Sequence, residues 1–110
     1  MKLPPSMRSR KRYIAFRLIS EKSIDEKAIA EAMVRNLTAL FGEVSALECG
    51  LKLEKFDGEK GIVRCNLEAL EKVMIAMTLI DKVGEENVGL LTLGMSGTLR
   101  GCMNKLEVLA

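Results

Sequence analysis

The stretch RYIAFRLI, running from Arg12 to Ile19, decides the fold. In an extended chain it places Ile14, Phe16 and Leu18 on one side and Tyr13, Ala15 and Arg17 on the other, and it is rich in strand-forming side chains. A half-apolar strand of this kind needs a helical layer against it. Just downstream, Ser23 and Glu26 have the spacing of a capping box, in which the hydroxyl and the carboxylate each satisfy an amide of the first helical turn. From there Ala28, Ile29, Ala32, Met33, Leu37, Leu40 and Phe41 recur at three- and four-residue steps, and Gly42 supplies a left-handed stop.

Val44 to Phe56 alternates loosely and is interrupted at Gly50. Asp57-Gly58 is then a turn signal ahead of Lys60 to Cys65, so the region reads as a hairpin. Asn66 is placed to cap a second helix whose stripe is Leu70, Val73, Met74, Met77 and Ile80 and which ends at Gly84. Val88 to Met95 is an apolar fourth strand. Thr98 caps a closing helix that turns Leu99, Met103 and Leu106 inward. The order predicts an α+β domain: a four-stranded antiparallel sheet with helices on one face, in the ferredoxin-like or RNA-recognition-motif-like βαββαβ arrangement, plus a C-terminal helix. Residues 1–9, which hold both prolines, read as a flexible basic arm, and residues 10–110 as a single domain.

At 110 residues, 48% hydrophobic and 29% charged, the chain suits one globular domain that buries roughly two-thirds of its unfolded surface. The net charge is only +2, but its distribution is uneven. Lys2, Arg8, Arg10, Lys11, Arg12 and Arg17 occur with no acidic residue among them, and the remainder is mildly acidic. Such a segment suits a phosphate backbone better than it suits a merely solubilising tail. Cys49, Cys65 and Cys102 form no CxxC pair, and there is no histidine to complete a mixed zinc site, so they read as buried thiols of a reducing compartment. The N-terminus lacks the apolar core of a signal peptide, and Val73 to Ile80 is too short to span a bilayer, which points to the cytoplasm and to no membrane partner.

Little in the chain suggests catalysis. Without histidine the common nucleophile–base pairs are unavailable, and Glu26, Glu31, Glu54, Glu68 and Glu71 fall on faces expected to be solvated. A recognition motif that stacks bases needs aromatic residues on its central strands, yet Lys60 to Cys65 is aliphatic there and only Tyr13 is suitably placed. What remains is electrostatic. Arg8, Arg10, Lys11, Arg12, Arg17, Arg64, Arg100 and Lys105 are the candidate RNA contacts, with ordinary surface charge as the plain alternative. Ile75, Ala76, Leu79 and Ile80 widen the apolar face of the second helix beyond what a small core needs, and so mark a candidate partner interface.

Taken together, four segments resemble the archaeal ribonuclease P protein known as component two, the family of eukaryotic Pop-five. They are Arg12-Tyr13-Ile14 with Phe16, Phe41-Gly42-Glu43, Gly61-Ile62-Val63-Arg64-Cys65-Asn66, and Ser96-Gly97-Thr98-Leu99-Arg100. The resemblance runs from about residue 10 to residue 102. It implies a non-catalytic subunit that binds and activates the catalytic RNA of ribonuclease P, an endoribonuclease removing 5′-leaders from precursor tRNA. It further implies no cofactor on this chain, Mg²⁺ at the RNA component, and a TIM-barrel-like protein partner in a heterotetramer with two copies of each. Arg64 and the Gly97 to Arg100 turn are the positions it favours for RNA or partner contact. A regulatory ligand-binding domain of ACT type is the alternative, but Ile19-Ser20-Glu21-Lys22 stands where its glycine-rich loop belongs. An acylphosphatase-type enzyme is poorer still, because its glycine-rich phosphate loop is absent.

Overall fold

The structure, a computed structural model, describes residues 10–109, with side chains placed through Glu107. The expected arm and Arg8 therefore lie outside the described residues. Strand β1 (Lys11–Ser20) is followed by helix α1 (Glu26–Phe41), short helix α2 (Glu43–Glu48), and strands β2 (Lys52–Phe56) and β3 (Lys60–Asn66). A 3-10 turn (Leu67–Ala69) leads into helix α3 (Leu70–Thr78), after which come strands β4 (Lys82–Val83) and β5 (Glu86–Ser96) and helix α4 (Leu99–Leu109). The α+β class holds, but the sheet has five antiparallel strands rather than four, in the order β2-β3-β1-β5-β4. The additional strand is the two-residue β4, which folds back on β5 around Gly84 at φ 63°.

β1 is the central strand. It pairs with β3 from Lys11↔Asn66 to Arg17↔Lys60, and with β5 from Tyr13↔Ser96 to Ser20↔Val88. Its alternation separates two apolar clusters. Ile14, Phe16 and Leu18 join Val63, Cys65 and Leu90 beneath α1 and α3, which contribute Ile29, Met33, Leu37, Val73 and Met77. Ala15 and Ile62 face the other way and meet Cys102 of α4, with Tyr13, Leu93, Leu99, Met103 and Leu106 around them. The domain thus has three layers, and Ile14, Ala15 and Phe16 are all fully buried because both faces of β1 are covered. Each large side chain so enclosed contributes about 1.5–3 kcal/mol.

Several local expectations are revised. The cap of α1 is Asp25, whose carboxylate accepts from the Ala28 amide at 2.7 Å, so Ser23 and Glu26 do not form the capping box; Ile24, between the two candidate caps, is buried, which fixes the entry of the chain at Asp25. The segment from Val44 to Phe56 is not one strand, because its first part is α2 and only Lys52–Phe56 pairs with β3. Asn66 makes no capping bond; its side-chain amide donates to the Glu48 carbonyl at 2.8 Å and its oxygen accepts from the Lys11 ammonium, tying α2 to the start of β1. α3 ends at Thr78 and not at Gly84. The Gly42 stop, the Asp57-Gly58 turn and the Thr98 cap, which accepts from the Gly101 amide at 3.1 Å, are as expected.

Candidate nucleic-acid interface

Strand pairing assembles a row of side chains across one end of the sheet. Lys52 of β2 is opposite Arg64 of β3, Arg64 is opposite Tyr13 of β1, and Tyr13 is opposite Ser96 of β5. Directly paired residues share a face, and here it is the α4 face, because Ile62, two residues before Arg64, packs under that helix. Lys11 and Arg12 precede the row on β1, and Gly97, Thr98 and Arg100 follow it into α4. The Arg12 guanidinium lies over the turn: a Cβ at Gly97 would stand 3.4 Å from Nη1, which itself donates to the Lys11 carbonyl at 3.0 Å.

Arg64 is the most distinctive member. Its side chain is about a third exposed, and Nε lies 3.5 Å from Glu54 Oε1. That separation and its geometry give charge attraction without a hydrogen bond, so Nε is a buried donor with no acceptor. Glu54 reaches it from a bulge: the register between β2 and β3 shifts between Leu53 and Lys55. A guanidinium held by one imperfect partner, with the rest of its fork open, is suited to a bidentate phosphate contact.

The structure brings together some of the sequence candidates and separates others. Lys11, Arg12 and Arg64 belong to the row and its approach, and Arg100 lies exposed in the first turn of α4 beside it. Arg10 is exposed at the start of β1, where its carbonyl accepts from the Leu67 amide. Lys105 is exposed further along α4, near Cys102. Arg17 lies further along β1, about 13 Å from Tyr13 at strand spacing, and its charge is met by Glu59 at 2.8 Å. Lys52 and Asn66 were missed by sequence reasoning; the β2 bulge hides the register that places Lys52, and Asn66 looks like a helix cap.

The sheet face on which a recognition motif would stack bases is not only poor in aromatics, as the sequence indicates, but covered, since α4 lies across Ala15 and Ile62. Bases cannot stack on the middle of the sheet while that helix is in place. A cleft of about 580 Å³ between α4 and the β2–β3 hairpin carries Glu26, Glu54, Asp57 and Glu107 against Lys55 and Lys60, a balance that repels phosphate. Among the described residues no cluster of three or more His, Cys, Asp or Glu could hold a metal ion, and no helix is long and apolar enough to cross a membrane.

The candidate partner face divides. Ile75 and Leu79 are 42% and 56% exposed, whereas Ala76 and Ile80 are 1% and 5% exposed and belong to the core, so those two have no surface to offer a partner. Ala76 faces α1, where Asn36 donates to its carbonyl at 2.8 Å. A second apolar surface, unforeseen, runs from Leu40 at the end of α1 to Val44 and Leu47 on α2, with Leu47 80% exposed. α2 buries no residue at all, so it shows no apolar stripe that a periodicity argument could detect.

This architecture is an antiparallel α+β sandwich with a row of polar and cationic side chains at one sheet end. The chain belongs to the Rpp14/Pop5 family, whose model matches residues 12–107. It is similar to ribonuclease P protein component 2 of Archaeoglobus fulgidus, with 59% identity over 96% of this chain and 97% of the relative. The component 2 proteins of Pyrococcus furiosus (33% identity over 94% of this chain and 88% of the relative) and Methanosarcina barkeri (31% over 94% and 77%) are also similar. In fold, it matches a chain of a cryo-EM structure of yeast ribonuclease MRP with a TM-score of 0.68, covering 93% of this chain and 95% of that one at 12% identity. The ACT-like alternative finds no support in these relatives.

Proposed function

We propose that this chain is a non-catalytic subunit of ribonuclease P that binds and activates the catalytic RNA for removal of 5′-leaders from precursor tRNA. The observation that carries the proposal is the row Lys52, Arg64, Tyr13 and Ser96, approached by Lys11 and Arg12, in a chain similar along nearly its whole length to component 2 proteins. Its cations offset phosphate repulsion, so that the folded RNA and its metal sites persist at lower Mg²⁺. The Mg²⁺ belongs to the RNA in this reading, and the RNA breaks the phosphodiester bond.

The exposed apolar surfaces, Ile75 with Leu79 and Leu40 with Val44 and Leu47, are where we place a TIM-barrel-like protein partner, in an assembly of two copies of each. A cytoplasmic location is part of the same proposal, since this is where an RNA-activating subunit would meet precursor tRNA. The test is reconstitution of precursor-tRNA cleavage from the RNA component and the partner subunit, with and without this chain. Adding the chain lowers the Mg²⁺ needed for cleavage. Arg64→Ala weakens RNA binding about tenfold while leaving the fold intact, because the side chain is partly exposed and its loss removes an unsatisfied donor. Cleavage by the isolated chain, or no effect of adding it, overturns the proposal.

A further inference from the structure

Two of the three cysteines are neighbours in space, turned to the opposite face of the sheet from the cationic row and unused by it. Cys49 follows α2 and Cys65 lies on β3; both are fully buried and belong to the main core cluster. The Asn66 amide donates to the Cys49 carbonyl at 2.9 Å, which brings the Cys65–Asn66 peptide against the Cys49–Gly50 peptide. Peptides in direct hydrogen-bond contact put their flanking residues in the range of spacings that a disulfide spans. Side-chain direction agrees. Cys49 and Cys65 are both buried in the one cluster between the sheet and α1 and α3, so their side chains turn into the same core. Cys102 lies across the sheet in the second cluster and is separated from both by β1 and β3.

We propose that Cys49 and Cys65 form an oxidation site at which a two-electron oxidant of the peroxide class closes a disulfide between the end of α2 and β3. One sulfur, as thiolate, attacks a peroxide oxygen; the O–O bond breaks and the departing oxygen leaves as water after taking up a proton. The second sulfur then attacks the sulfenic sulfur; the S–S bond forms as the S–O bond breaks, and the departing hydroxide takes up a proton and leaves as a second water. Two thiols give up two electrons and two protons, and hydrogen peroxide is reduced to two waters.

Access comes through α2. This six-residue helix has no fully buried residue and no side-chain cap, so it opens over the pair at low cost. The Cys49 thiol presently donates back to the Ser45 carbonyl at 3.2 Å, a bond that a rotation about its side chain replaces. Burial pushes the Cys65 thiol up to about 11, with the adjacent Cys49 sulfur adding to the rise, and burial raises Cys49 as well. Closure is therefore slow at neutral pH and accelerates with the thiolate fraction, by about tenfold per pH unit between 7 and 9.

The experiment treats the folded full chain with hydrogen peroxide, then denatures it, alkylates free thiols and maps the peptides by mass spectrometry. The expected product is a monomer lighter by two hydrogens, with one link between Cys49 and Cys65 and with Cys102 alkylated. Its melting temperature is higher by roughly 5–15 °C, since the bridge closes a loop of about 15 residues. Retention of all three thiols, a bridge that includes Cys102, a bridge between chains, or oxidation that stops at a sulfinic acid overturns the proposal. In Cys49→Ser no intramolecular bridge forms. Should that variant not fold, the peptide map of the unmodified chain still decides the matter.

Discussion

Gly61 shows how much one side chain can depend on the absence of another. A Cβ there would stand 2.5 Å from Phe16 Cζ and 2.6 Å from the Lys55 carbonyl, so the bare backbone is what lets Phe16 lie over β3 and stack on Phe56 at 5.9 Å between ring centres. Neither obstacle is a flexible chain end. Gly61→Ala is therefore expected to cost about 2–3 kcal/mol, as overpacked cores do, read as a lower urea midpoint. Asp57 is decisive in a different way. Its carboxylate accepts from the Lys60 amide at 2.7 Å and the Glu59 amide at 2.9 Å, and these bonds, that from Lys60 first, hold its carboxyl below the usual range. A carboxyl depressed on folding stabilises above its unfolded value of about 4 and loses that contribution as pH falls through the folded value. Asp57→Asn should accordingly be less stable than the parent at pH 6, with the gap closing at pH 2.5, measured by urea denaturation at each pH.

At the scale of elements, what could be read from the sequence was whatever local periodicity encodes. β1 and α1 were legible because their apolar positions repeat at two and at three to four residues, and Gly42 and Asp57-Gly58 end their segments by backbone chemistry alone. α2 was not legible, since a helix with no buried residue leaves no stripe, and β4 is too short to show a period. The cationic row was half legible: Arg64 and Arg12 stood out by type, but the alignment of Arg64 with Lys52 depends on a bulge that no local pattern announces. Pattern also fails to say on which side of a sheet a helix will lie. The apolar face of α4 was readable from Leu99, Met103 and Leu106, but its seat over Ala15 and Ile62 required the fold. Met103→Glu tests that seat. It should loosen α4, lower the melting temperature and raise the fluorescence of an apolar-surface dye, while α1 and α3 keep their helical signal.

For the whole molecule, a net charge of +2 is too small to draw RNA by itself, so affinity must come from where the cations sit. If roughly five phosphates are neutralised, the logarithm of RNA affinity falls with the logarithm of salt at a slope of about −3.5 to −4.5. A slope near zero in a filter-binding titration would show that the row is not the contact. The charge further along β1 is met by Glu59, so Arg17→Ala leaves that slope unchanged.

The central place of β1 also governs how long the chain takes to become this structure. Only the β2–β3 and β4–β5 hairpins join strands that are close in sequence; β1 must wait for Asn66, half a chain away from Lys11, and for Ser96, further still. Helices and hairpins form within microseconds, whereas ladders between distant segments bear the cost of closing large loops first. Assembly should therefore be limited by the insertion of a single ribbon between two waiting neighbours. Until it arrives, both apolar layers have nothing to close upon.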